Sequence, residues 1–172
     1  MALQTAVYPL TGFGVPGELW TDAPVTCSSY IINSASASYN IVGATCFSFT
    51  SQGNVAAGNS GGTAVFAGLL VNPKEYANYN GNLSPTLQLP NYTQAALLTE
   101  GVVVVTLPAS CNIGDYVIYD NTTGAISTVA PGTSLPSGKS WAYAYVYNFT
   151  PSASGSQLGV IKMQPELAIT LP

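Results

Sequence analysis

The sequence predicts an all-β protein: an antiparallel sandwich or jelly-roll-like domain over residues 25–172, preceded by an extended arm over residues 1–24. Three observations carry that prediction. The run Gly101-Val-Val-Val-Val-Thr-Leu107 is dense in β-branched side chains, which are stiff at χ1 and pack well on a pleated surface. Two short strand-like stretches, 114–120 and 125–129, flank Asn121-Thr-Thr-Gly124, a polar turn with a glycine to take a positive φ. Last, residues 141, 143, 145, 147 and 149 are all aromatic, with Ala, Val or Asn between them. A spacing of two puts those rings on one face of a strand, whereas a helix would scatter them.

The remaining elements follow from local chemistry. Tyr8-Pro-Leu-Thr-Gly-Phe-Gly-Val-Pro-Gly17 holds two prolines and three glycines, which preclude a helix and interrupt a strand. Tyr8, Phe13, Val15, Leu19 and Trp20 are nevertheless large and apolar, so the arm should lie along something, either its own domain or a partner protein. Residues 25–32 and 44–50 read as strands around a small polar loop, 33–40. Residues 52–62 read as a Gly/Asn/Ala-rich turn region, and 63–71 as an apolar strand. Asn72-Pro73 is an N-cap followed by proline at a first helical position, which predicts a short helical turn over 74–78. Residues 79–89 are loop, and 94–99 read either as a short helix or as the approach to the next strand. Residues 131–138 and 151–155 are loops, the second closing a hairpin between 141–149 and 158–163, and 166–171 supply a last short strand. Roughly eight to ten short strands punctuated by turns fit one β unit.

Composition restricts what such a unit can do. Of 172 residues 47% are apolar and only 6% are charged, far below the ~25% of ordinary soluble domains. Three lysines (74, 139, 162) cannot form the cation cluster that displaces counterions from phosphates, so nucleic acid is not an expected partner. No apolar run approaches the ~20 residues of a membrane span, and the amino terminus lacks the pattern of a secretory signal. A surface so poor in charge has little to repel a neighbour with, which predicts that partners cover much of it.

Candidate chemistry is thin. Gly58-Asn-Ser-Gly-Gly62 resembles the nucleophile loop of trypsin-like proteases, with Ser60 as the attacking residue, but the chain has no histidine to take its proton. Asp115 and Asp120 are five apart and point to opposite faces of a strand, and the acids elsewhere are scattered, so no metal site or catalytic pair is expected. Cys27, Cys46 and Cys111 are odd in number and lack metal spacing. They are expected as three buried reduced thiols, with a Cys27–Cys46 bridge as the alternative. The four Asn-x-Ser/Thr matches at 82, 91, 121 and 148 are expected by chance in a chain this rich in those residues. The aromatic row admits two readings: an inner sheet face packed on 102–105, or an exposed platform for sugars or proteins. No enzyme activity and no cofactor is expected.

Four stretches in order carry a family resemblance: Ala6-Val-Tyr-Pro-Leu-Thr-Gly-Phe-Gly-Val-Pro-Gly-Glu-Leu19, Val65-Phe-Ala-Gly-Leu-Leu-Val-Asn-Pro-Lys-Glu-Tyr76, Leu87-Gln-Leu-Pro-Asn91, and Gly114-Asp-Tyr-Val-Ile-Tyr-Asp120 with Thr123-Gly124. Together they resemble the structural cement, or capsid decoration, proteins of tailed bacteriophages. The resemblance implies a β-rich protein, often jelly-roll-like, that forms small oligomers outside the phage head and clamps neighbouring major capsid subunits. Its partners would be the major capsid protein and copies of itself, a trimer ahead of a dimer, and its location the virion after synthesis in the host cytoplasm. Tyr8, Phe13, Val15, Leu19 and Trp20 are the expected capsid contacts. The alternatives are a carbohydrate-binding or adhesion module using Trp141 and Tyr145, or another virion component such as a tail or fibre piece.

Overall fold

A computed structural model describes residues 14–20, 24–72, 88–108, 110–149 and 157–164. Nine strands run through it: β1 (Thr26–Ile31), β2 (Cys46–Phe49), β3 (Val55–Ala57), β4 (Phe66–Leu70), β5 (Gln94–Leu107), β6 (Tyr116–Asp120), β7 (Ile126–Val129), β8 (Lys139–Phe149) and β9 (Gln157–Met163). Every strand pairing between them is antiparallel. The chain is therefore all-β, as the alternating segments predict, and the strands join into one sheet in the order β3-β2-β4-β5-β9-β8-β6-β7, with β1 also on β5. The helical turn at 74–78 and the last strand at 166–171 lie outside the described residues.

The sheet curls until its ends meet. Cys46 N–H donates to Gly124 O (2.9 Å) and Ile126 N–H to Ala44 O (3.2 Å), which joins the start of β7 to the start of β2. On the other side Asn33 N–H donates to Val55 O (2.8 Å), so the end of β1 meets β3. Two cores result. One holds Cys46, Leu69, Leu98, Val103, Val105, Val117, Tyr119, Ala144, Val146 and Ile161. The other holds Ile32, Phe47, Val55, Ala67, Leu70, Ala95 and Leu97. Consecutive residues on β2, β4 and the first half of β5 point alternately into one core and then the other. That is why Phe66-Ala-Gly-Leu-Leu70 and Ala95-Ala-Leu-Leu98 read as unbroken apolar runs without a polar face.

Strand β5 organises both. Its first half lies between β1 and β4, and its second half pairs with β9 from Gly101 to Leu107. Gly101 sits at the change of partners with a φ of 138°, which a side chain would resist. Residues 94–99 are thus strand, not helix, and belong to the same 14-residue element as the valine run. The turn region over 52–62 contains β3, held by β2 through Phe47, Ser48 and Phe49. The hairpin of β6 and β7 and the antiparallel pair of β8 and β9 form as the sequence predicts.

The aromatic row of β8 is turned the other way from an inner face. Ala142, Ala144 and Val146 are the buried side chains, and the rings between them are only partly covered. Small residues fit inside because Val103, Val105, Ile161 and Met163 already fill that core. Two bulges then break the row. Ala142 and Tyr143 are extra residues opposite the Val117/Ile118 step of β6, and Tyr147 is extra between the Val146 and Asn148 pairings with β9. Past the second bulge the alternation shifts, which brings Phe149 back against the core.

Candidate functional site

The described part of the arm is pinned to its own domain through backbone groups. Gly17 N–H donates to Val104 O (2.7 Å), Val104 N–H to Glu18 O (2.9 Å) and Trp20 N–H to Val102 O (2.8 Å), while Leu19 sits opposite Val103. Asn72 N–H adds a bond to Gly17 O (2.9 Å). Residues 17–20 therefore cover the edge of β5 that β9 leaves open, one device by which a sheet avoids unwanted pairing. The entry is a turn closed by Glu18 N–H donating to Val15 O (3.0 Å). Gly17 crosses directly over Gly43: an added Cβ at Gly17 would lie 2.8 Å from Asn72 N, and one at Gly43 would collide with the backbone of Pro16 and Gly17.

With the backbone fixed, the side chains are displayed. Val15 is 59% exposed and Leu19 41%. Trp20 is half-buried, its ring edge-on to Tyr147 with centroids 6.2 Å apart. Three of the five predicted contact residues thus stand on one short segment, and Tyr8 and Phe13 lie outside the described residues. Tyr147, 47% exposed, is a neighbour that the arm's own sequence does not reveal. The period-two row marks it as facing away from Ala144 and Val146, but only the fold brings Trp20 to it.

The groups suspected of chemistry have structural employment. Ser60 is exposed on a short 3-10 turn, Ser60–Gly62, whose preceding residue Asn59 is the anchor. Asn59 Nδ2 donates to Ser140 Oγ (3.0 Å), and its Oδ1 accepts from Ala64 N–H (2.8 Å). Asp115 is buried and accepts from Asn112 N–H (2.8 Å). Asp120 Oδ1 accepts from the amides of Thr122 and Thr123 (2.9 Å each), and its Oδ2 pairs with Lys139 Nζ at 3.0 Å. The Thr123 amide and then the Lys139 ammonium hold the Asp120 carboxyl down at about 2. Among the described residues no group of three His, Cys, Asp or Glu could hold a metal ion, and no helix is long and apolar enough to cross a membrane.

The three cysteines are free, so the Cys27–Cys46 bridge is absent. Cys46 and Cys111 are buried as expected, but Cys27 is exposed, because β1 contributes no core side chain at that position. Burial pushes the Cys46 thiol far up. Gln157 Nε2 lies 2.8 Å from Cys111 Sγ.

An all-β unit that displays fixed apolar side chains on a strapped-down segment is a contact-making structural protein. A family model described as structural cement protein (E217 gp24/Pam3 gp6) matches residues 3–164, and the chain belongs to that family. It is a phage capsid cement protein, a component of the virion that associates with the capsid. Four chains of solved structures match it. One, from "The capsid of Myoviridae Phage XM1", shares 17% identity at a TM-score of 0.59, over 95% of this chain and 98% of that one, a likeness of fold. No curated protein matches.

Proposed function

We propose that this chain decorates the outer surface of a phage head and holds neighbouring major capsid subunits together, without enzymatic activity. The observation that carries this reading is the display of Val15 and Leu19 on a segment whose backbone is already hydrogen-bonded to β5. Ordering a free segment costs about 1–2 kcal/mol per residue, and residues 17–20 meet that cost within their own fold before any partner arrives. Covering Val15 and Leu19 then contributes toward the ~1.5–3 kcal/mol of a fully buried side chain, and many copies sum around a shell. Tyr8 and Phe13 extend the same apolar strip in sequence, and Trp20, braced on Tyr147, closes it.

Self-association, as a trimer or a dimer, belongs to the same proposal. A chain with a net charge of −4 spread over 172 residues opposes contact between copies only weakly. Synthesis takes place in the host cytoplasm, with assembly onto the head afterwards. Quantitative mass spectrometry of purified virions tests the role: a copy number close to that of the major capsid protein supports it. A handful of copies per particle overturns it in favour of a tail or fibre part.

A further inference from the structure

Away from residues 14–20, the loop after β3 and the start of β8 border an open groove of about 350 Å3. Phe66, Tyr119, Trp141 and Tyr143 line it, with Val65 and Leu135 exposed at the rim. We propose that this groove binds a neutral pyranose sugar.

The rings are set rather than loose. Tyr143 packs edge-on to Phe66 (5.8 Å) and Phe66 tilts onto Tyr119 (5.7 Å), while Tyr116 braces Trp141 from the other side (5.9 Å, 89°). Tyr143 has a φ of 50°, a conformation that a bulky side chain adopts only when its surroundings impose it. The imposition comes from the two-residue insertion in β8 against β6. Bulges of that kind re-aim a side chain, and this one places the Tyr143 ring in the groove wall beside Trp141.

The rest of the lining suits the edge of a sugar. Ser140 Oγ donates to Asn121 Oδ1 (2.7 Å) and accepts from Asn59 Nδ2 (3.0 Å), and the Tyr119 phenol bonds to the same hydroxyl, so a polar network lies beside the rings. The Thr63 side chain is exposed at the mouth. Among the described residues no Asp, Glu, Lys or Arg lines the groove, and burial raises the Tyr119 phenol. Charged ligands would find no counter-ion among them. A pyranose instead offers an apolar C–H face to the Phe66, Trp141 and Tyr143 rings and hydroxyls to the oxygens, and a groove of this volume sits at the lower end of small-ligand sites.

The test is a titration of the full chain with glucose, galactose, mannose and N-acetylglucosamine, with glucuronate as the charged comparison, read by amide and Trp indole NMR shifts. Saturable shifts confined to residues 59–66 and 139–143 and to the Trp141 indole are expected from at least one neutral sugar, and none from glucuronate. Leu135→Glu, at the exposed rim, should weaken binding about tenfold or more without disturbing the core, as should Trp141→Ala if it folds. No saturable shift with any neutral sugar, or an unchanged affinity in Leu135→Glu, overturns the proposal. Capsid binding is scored separately on the same variant, since the groove shares no residue with the displayed strip.

Discussion

Gly43 lies so close under Gly17 that a Cβ on Gly43 would run into the backbone of Pro16 and Gly17, and the arm crosses the 41–45 turn backbone against backbone. Gly43→Ala should therefore do two things: strain a residue whose φ is 68°, and lift residues 16–17 off the turn. Strain alone costs about 1–2 kcal/mol, and the collision adds to it. Gly53→Ala supplies the comparison, because its φ is 79° but no atom lies within 4 Å of the added Cβ. Urea denaturation should show Gly43→Ala as the more destabilised of the two by at least about 1 kcal/mol.

Charge placed on the displayed strip should separate binding from folding. The double variant Val15→Asp/Leu19→Asp alters side chains that are 59% and 41% exposed, so its stability should fall by no more than about 2 kcal/mol. Its occupancy on purified heads, measured by quantitative mass spectrometry, should drop severalfold. Full occupancy with both aspartates present would remove residues 15–19 from the capsid contact.

Acid should weaken the fold through Asp120. Its carboxyl is depressed from 3.8 to about 2, so its contribution is complete at neutral pH and is lost as the pH falls from about 4 toward 2. Because the pair with Lys139 is part-exposed, solvent screening holds the effect to about 1 kcal/mol. Asp120→Asn should be less stable at pH 7 and should show a flatter pH profile across that window.

Thiol counting reports on the cores. In the native protein Cys27 alone is exposed, and Cys46 and Cys111 are buried. A disulfide-exchange reagent should label one thiol rapidly, and three after unfolding in guanidinium. Rapid labelling of Cys46 would mean that the β2–β7 closure opens readily.

Strand β8 offers a test of which face is inward. Ala144→Leu forces extra volume into a filled core and should cost about 1–3 kcal/mol. Tyr147→Ala, on the outer side, removes the edge-on contact with Trp20 and should cost about 1 kcal/mol. The reverse order in thermal melts would restore the reading with the rings inside.

Local pattern alone revealed most strands, because hydrophobic alternation and turn residues are properties of neighbours in sequence. The hairpin of β6 and β7 is local: Gly124 takes a φ of 73°, as its polar turn predicts, and the Asp120 carboxylate caps the Thr122 and Thr123 amides of the same turn. Strand β3 was not legible: Val55-Ala-Ala57 is too short and too plain to stand out until Phe47 and Ser48 lie beside it. The first half of β5 was ambiguous for a related reason. A strand buried on both faces shows no period of two, so its Ala and Leu run fits a helix as well.

The apolar character of Val15, Leu19 and Trp20, the poverty of charge and the absence of histidine were determined by the sequence, and with them the leaning toward contact rather than chemistry. Only the tertiary structure decided that residues 17–20 pair with Val102 and Val104 of the same chain, and that the rings of β8 face outward over Ala142 and Ala144. The reason is that alternation defines two faces of a strand without saying which is wet. That choice depends on the volume left by distant strands, here β5 and β9, whose valines and isoleucine fill the core first.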